Sequence, residues 1–256
     1  MVKDFIVKTL YNVGDSFATG VGLSEPKLDS YPAKISQSFD SKLVSLARPG
    51  CCNFSISLMI DWLARDDTTN PNESFYLIST TNENRLHWLA PLQTLPAGEE
   101  IRIEDLNYDS HKENLLTELP FLTTNKIQSE TCSNVLLYNE QDIFGNKSFA
   151  RETKDRMKLI GRYITELHDI ELKRREDVNA LLLSLHRLNK KTQAWCIVTP
   201  WHEIANEFPD NVLSDVDFGK LSAEFPDVIG SGHFNRSGHR RVARSFETWY
   251  TKRFTI

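Results

Sequence analysis

A serine hydroxyl becomes a nucleophile when an imidazole takes its proton, and the two side chains need only meet in space. Two short stretches of this chain supply one of each: Gly14-Asp15-Ser16-Phe17 and Gly232-His233-Phe234-Asn235. Ser16 follows a strand-like run and a glycine, so it belongs on a turn where its hydroxyl and backbone N–H reach outward. His233 sits in a glycine-flanked loop just before a helical pattern. Each stretch also has an ordinary reading, since Gly, Asp and Ser are common turn residues and a loop histidine is often merely exposed. His239 falls inside the first turns of that helix, where packing or capping suits it better than catalysis.

Two further stretches lie between them. Arg48-Pro49-Gly50-Cys51-Cys52-Asn53 follows an apolar run, and its glycine lets backbone N–H groups approach a ligand closely. Thr80-Thr81-Asn82-Glu83-Asn84 follows another, and an asparagine amide there can donate to a developing oxyanion. Taken singly, the first is a turn and the second a loop with local backbone bonds.

The elements that must position these residues alternate from the start. Residues 5–13 are apolar and β-branched enough for a buried strand, and a helix is expected over 31–39, with Pro32 in its first turn. A second strand spans 42–47. Asn53 is expected to cap a helix to about Arg65, in which Ile56, Met59, Ile60 and Leu63 recur at helical spacing. A polar loop at 66–73 leads into a third strand at 74–79. Residues 86–148 show no clear period and read as an irregular insertion or lid. Helical patterns follow at 149–174 and from Asp177 to about Lys190, then a strand at 194–199 and a last helix from near Ser237. Strand and helix in alternation predict an α/β fold with a doubly wound, mainly parallel sheet, formed by a single domain over 1–256. In such a sheet ligands bind beyond the carboxyl ends of the strands, so all four stretches converge on one crevice.

In that order, Ser16, Gly50, Asn82 and His233 resemble the four blocks of the SGNH hydrolases, and Gly14-Asp15-Ser16-Phe17 resembles their GDS(L) opening. The resemblance implies a flavodoxin-like three-layer architecture and a serine esterase or O-deacetylase. It assigns Ser16 as nucleophile and His233 as general base. The oxyanion hole it implies is made by the N–H groups of Ser16 and Gly50 and the side-chain amide of Asn82. Small-molecule or carbohydrate esters, acetyl esters among them, are the substrates it suggests.

This chain departs from that pattern twice. The third block reads Thr80-Thr81-Asn82-Glu83 where the family has Gly-x-Asn-Asp, which leaves Asn84 as a rival amide. Gly230 stands where the family places an aspartate three residues before its histidine, and the nearest upstream carboxylate is Asp227. Either a backbone carbonyl or water orients His233 in a dyad, or the loop folds back and Asp227 reaches the ring. The additional residues between Asp227 and His233 weigh toward the dyad.

Composition narrows the alternatives. Charged residues make up 25% of the chain, the net charge is −5, and the lysines and arginines are dispersed, so no nucleic-acid partner is expected. The first residues lack the pattern of a secretory signal, and no apolar run approaches a membrane span, which points to a cytoplasmic protein without membrane association. Cys51, Cys52, Cys132 and Cys196 have no C-x-x-C spacing, so reduced thiols are expected. No metal-ligand spacing or calcium loop is present in the sequence, and no cofactor is implied. A nucleotide-binding reading lacks a G-x-G-x-x-G after the first strand. A noncatalytic binding or structural module on the same scaffold is the principal alternative, and Gly230 is its best support.

Overall fold

The computed structural model describes residues 6–48, 51–81, 169–228, 230 and 232–254. Among the described residues four strands form the sheet: β1 (Thr9–Val13), β2 (Lys42–Ser45), β3 (Ser74–Ser79) and β4 (Trp195–Val198). Their order is β2-β1-β3-β4, and every pair is parallel. The chain is therefore an α/β protein, with helices flanking the sheet. β1 lies between β2 and β3, with Asn12 opposite Ser45 on one side and Leu77 on the other.

Successive strand side chains point to opposite faces, and the two faces hold different helices. On one face Leu10, Phe75, Leu77 and Cys196 pack with Ile35 of α3 (Tyr31–Ser38) and with Val242 and Phe246 of α8 (Arg236–Phe254). Phe75 meets Phe246 edge-on at 5.2 Å between ring centroids. On the other face the Tyr76 hydroxyl donates to Thr69 Oγ1 at 3.2 Å. That oxygen also accepts from Lys191 at the end of α5 (Ile170–Lys191), at 2.6 Å. Lys191 in turn donates to the Leu63 carbonyl of α4 (Asn53–Arg65) at 2.9 Å. All six residues of β3 are buried, as expected of a strand covered on both faces.

By internal contacts the chain divides into two compact units, Met1–Thr81 with Val178–Ile256, and Asn82–Asp177. Of the second unit, residues 169–177 are described; they begin α5 and hold a buried Lys173–Asp177 ion pair. The insertion expected at 86–148 and most of the helix expected at 149–174 lie outside the described residues.

Several element boundaries differ from the sequence expectation. β1 begins at Thr9, and Ile6 is exposed, so the apolar run ahead of Thr9 does not all join the sheet. β2 stops at Ser45 and β4 is confined to Trp195–Val198. α5 runs unbroken through 175–177, where two separate helices were expected; no glycine or proline interrupts that stretch, so nothing stops the helix. Cys52 takes the N-cap position of α4 and Asn53 is its first helical residue, so Asn53 does not cap that helix.

His239 is buried in α8 and joins it to α3. Its Nδ1 accepts the Tyr31 backbone N–H at 3.1 Å, and its ring lies 4.4 Å from that of Phe234. Because Ser30 makes no side-chain cap at the start of α3, the imidazole satisfies one of the N–H groups a helix leaves unpaired. Burial pushes the His239 pKa down to about 3, helped by the nearby His233 and Lys34 and opposed by Asp29. Between that value and the ordinary 6.5 the unfolded chain binds a proton that the folded chain refuses. This contribution to stability is complete above pH 6.5 and is lost as pH falls toward 3. His239→Gln should remove a slope of up to about 1.4 kcal/mol per pH unit from the unfolding free energy over that window. Urea melts of both proteins at several pH values check this; a stability difference that does not change with pH contradicts it.

Candidate active site

β1 ends at Val13, and Gly14 lets the chain turn in contact with the end of β3. A side chain at position 14 has no room, because an added Cβ would lie 2.1 Å from Ser79 Oγ and 2.9 Å from Ala18 Cβ. The Ser79 hydroxyl is fixed in turn, accepting from the buried Tyr31 hydroxyl at 3.2 Å. Asp15 follows in an extended conformation and caps the single turn α1 (Ser16–Thr19), its Oδ1 accepting the Phe17 N–H at 3.0 Å. Ser16 is the first residue of that turn.

His233 meets Ser16 from the other end of the chain: His233 Nε2 lies 2.7 Å from Ser16 Oγ. At that distance the hydroxyl can donate to Nε2 when the ring proton is on Nδ1, the arrangement a general base requires. Ser16 is 4% exposed, and His233 is half-buried. The Phe17 ring supports the imidazole with centroids 4.7 Å apart. Phe17 itself stacks on Phe218 of α7 (Phe218–Glu224) at 5.0 Å and on Phe234 at 5.1 Å. The His233 imidazole therefore rests on an aromatic cluster and not on a free loop.

The segment carrying His233 folds back on itself. Pro226 and Phe234 form an antiparallel bridge, flanked by Asp227 N–H donating to the His233 carbonyl at 3.0 Å and Asn235 N–H donating to the Phe225 carbonyl at 2.7 Å. Gly230 and Gly232 make the return with φ of 67° and 81°, left-handed values that favour glycine. Asn235 closes the segment by capping α8, its Oδ1 accepting the Ser237 N–H at 2.8 Å. Asp227 is thus brought level with His233 despite the longer spacing. Its side chain is buried beside Gly22, where an added Cβ would lie 2.6 Å from Asp227 Oδ2.

Gly50, Asn82 and the rival Asn84 lie outside the described residues. Their immediate neighbours reveal a feature that the sequence reading missed. The Asn53 side chain clasps the backbone of Thr81 in both directions, Nδ2 donating to the Thr81 carbonyl at 2.9 Å and Oδ1 accepting its N–H at 2.8 Å. The Thr81 hydroxyl donates to Asp15 Oδ2 at 2.6 Å. Nothing local in the sequence marks this chain of bonds; the one available signal was an asparagine at the start of α4 that a conventional cap reading had already used.

The strand order reverses between β1 and β3, because the connection from β1 leads to β2 on one side while β3 leads to β4 on the other. Ser16 and Thr81 stand beyond the carboxyl ends of those two strands, at the switch point where open parallel sheets hold ligands. Among the described residues no group of three or more His, Cys, Asp or Glu side chains is placed to hold a metal ion. No described helix is long and apolar enough to cross a membrane. No protein-family model and no curated protein matches this chain.

The close approach at Gly14 gives a direct expectation. Gly14→Ala should destabilise the protein by about 1–3 kcal/mol, the usual cost of overpacking, because Ser79 and Ala18 are both held by buried neighbours. Thermal or denaturant unfolding measures it, and wild-type stability in the variant would show that the β1–β3 ends separate easily.

Proposed function

We propose that this protein is a serine ester hydrolase of the SGNH type, with Ser16 as nucleophile and His233 as general base. The observation that carries the proposal is the 2.7 Å approach of His233 Nε2 to Ser16 Oγ at the switch point of a parallel sheet. The two residues are 217 positions apart, so their meeting owes nothing to sequence proximity. Support also comes from their agreement with the first and last blocks of the resemblance.

In this reading His233 Nε2 takes the Ser16 proton as Oγ bonds to the ester carbonyl carbon. The tetrahedral intermediate expels the alcohol, whose oxygen receives that proton from His233, and Ser16 keeps the acyl group. Water, deprotonated by the same imidazole, then displaces the acyl group as a carboxylic acid and restores the serine. The Ser16 N–H, with Gly50 and the Asn82 amide, is the oxyanion hole that the resemblance implies. Asp227 is the orienting acid in this reading. Asp227 and His233 flank the Pro226–Phe234 bridge and are joined by one backbone bond, from the Asp227 N–H to the His233 carbonyl. Residues that face each other across antiparallel chains project to the same side. Small acetyl esters, including O-acetylated sugars, are the substrate class.

Hydrolysis of p-nitrophenyl acetate tests the assignment. Ser16→Ala and His233→Ala should each lower kcat by ~10³ or more, since members of one catalytic unit fail together. Unchanged turnover in either folded variant removes that residue from the reaction, and an inert wild type favours a binding module. Asp227→Asn should cost ~10²–10⁴ in kcat, toward the loss seen when a serine-protease acid is neutralised. A loss within tenfold would leave a serine–histidine dyad.

A further inference from the structure

We infer that Asp15 and Thr81 are positioning residues for the Ser16 reaction, joined by a buried hydrogen bond that holds the nucleophile turn to the end of β3. This inference rests on the reading of Ser16 as nucleophile. Asp15 is 1% exposed and uses its carboxylate oxygens in two directions. Oδ1 accepts the Phe17 N–H at 3.0 Å, which fixes the turn that begins with Ser16. Oδ2 accepts the Thr81 hydroxyl at 2.6 Å. Thr81 is fixed in turn by the Asn53 amide, which bonds its N–H and its carbonyl.

Three connections that follow three different strands are thereby tied together: Asp15 after β1, Asn53 after β2 and Thr81 after β3. A bond from a hydroxyl to a carboxylate in a buried site is among the stronger hydrogen bonds of a protein. Removing the donor leaves a carboxylate oxygen without that partner, so the turn can shift to recover one. Reaction rates respond to such shifts far more than binding does, because attack needs the reacting atoms aligned to within a fraction of an ångström. Neither Asp15 nor Thr81 is assigned contact with substrate; both act through the position of Ser16.

The test is the pre-steady-state acylation burst with p-nitrophenyl acetate, whose concentration dependence gives both the acylation rate and the substrate dissociation constant Ks, in two pairs of variants, Thr81→Val with Thr81→Ser and Asp15→Ala with Asp15→Asn. Valine keeps the outline of threonine and loses the hydroxyl, whereas serine keeps the hydroxyl. Asparagine keeps the Oδ1 acceptor for Phe17 and can turn its amide toward the Thr81 oxygen. Thr81→Val and Asp15→Ala should slow the saturating burst rate about tenfold or more with Ks within twofold, and Thr81→Ser and Asp15→Asn should recover most of the rate. A merely structural role would lower the melting temperature without this split between acylation and Ks. Folded Thr81→Val that acylates at the wild-type rate overturns the inference, as does failure of Thr81→Ser to recover it. If Asp15→Ala does not fold, the Thr81 pair decides alone. Hydrolysis that a folded Ser16→Ala leaves unchanged defeats the nucleophile assignment itself, and the inference falls with it. A wild-type burst that Ser16→Ala abolishes and Thr81→Val leaves intact defeats only the inference.

Discussion

Parallel pairing of β1 with both of its neighbours constrains everything else in this structure. A parallel sheet cannot be closed by tight hairpins, so each strand must send the chain across a face of the sheet and back. With β2 on one side of β1 and β3 on the other, the connections leaving β1 and β3 part company at the carboxyl edge. The gap between them is where Ser16 stands. A gap alone would leave two loose ends, and the chain bridges them with polar groups: Gly14 lies in contact with Ser79, and the Asp15 carboxylate with the Thr81 hydroxyl. The polar groups buried here are therefore satisfied by one another, as a buried carboxylate requires.

Two histidines six positions apart show how environment separates roles. His239 faces inward, accepts a backbone N–H at the start of α3, and is kept neutral by burial. His233 is half-buried, rests against Phe17, and directs Nε2 to a serine hydroxyl. Phe234 lies between them in sequence and contacts both the Phe17 and the His239 rings. One aromatic cluster thus anchors His239 and supports the histidine that meets Ser16. A substitution at Phe234 should be felt on both sides of the cluster.

Much of this was legible in the sequence, for identifiable reasons. β3 was delimited correctly because a polar loop precedes it and every one of its side chains can be buried. The pairing of Ser16 with His233 was visible because both sit beside glycines at the ends of apolar or helical runs. The fold-back at Asp227 was readable only as one of two alternatives, since it depends on left-handed φ values at Gly230 and Gly232 that glycine permits but does not impose. Asn53 was misread because an asparagine ahead of a helix fits a cap, whereas its amide is claimed by Thr81, 28 residues away. Two helices were expected where α5 is one because no apolar residue marks the charged run 173–177, although nothing in those residues ends a helix. Contacts across the sheet decide such cases, and local pattern does not carry them.

The proposed role of Ser16, a nucleophile activated by His233, is tested most directly by covalent trapping. A fluorophosphonate forms a stable phosphonyl ester with such a serine by losing fluoride, and peptide mapping by mass spectrometry locates the adduct. One adduct per chain is expected, on Ser16, forming in the wild type and not in a folded His233→Ala protein. An adduct on another residue, or labelling of Ser16 at the same rate without the imidazole, would contradict it.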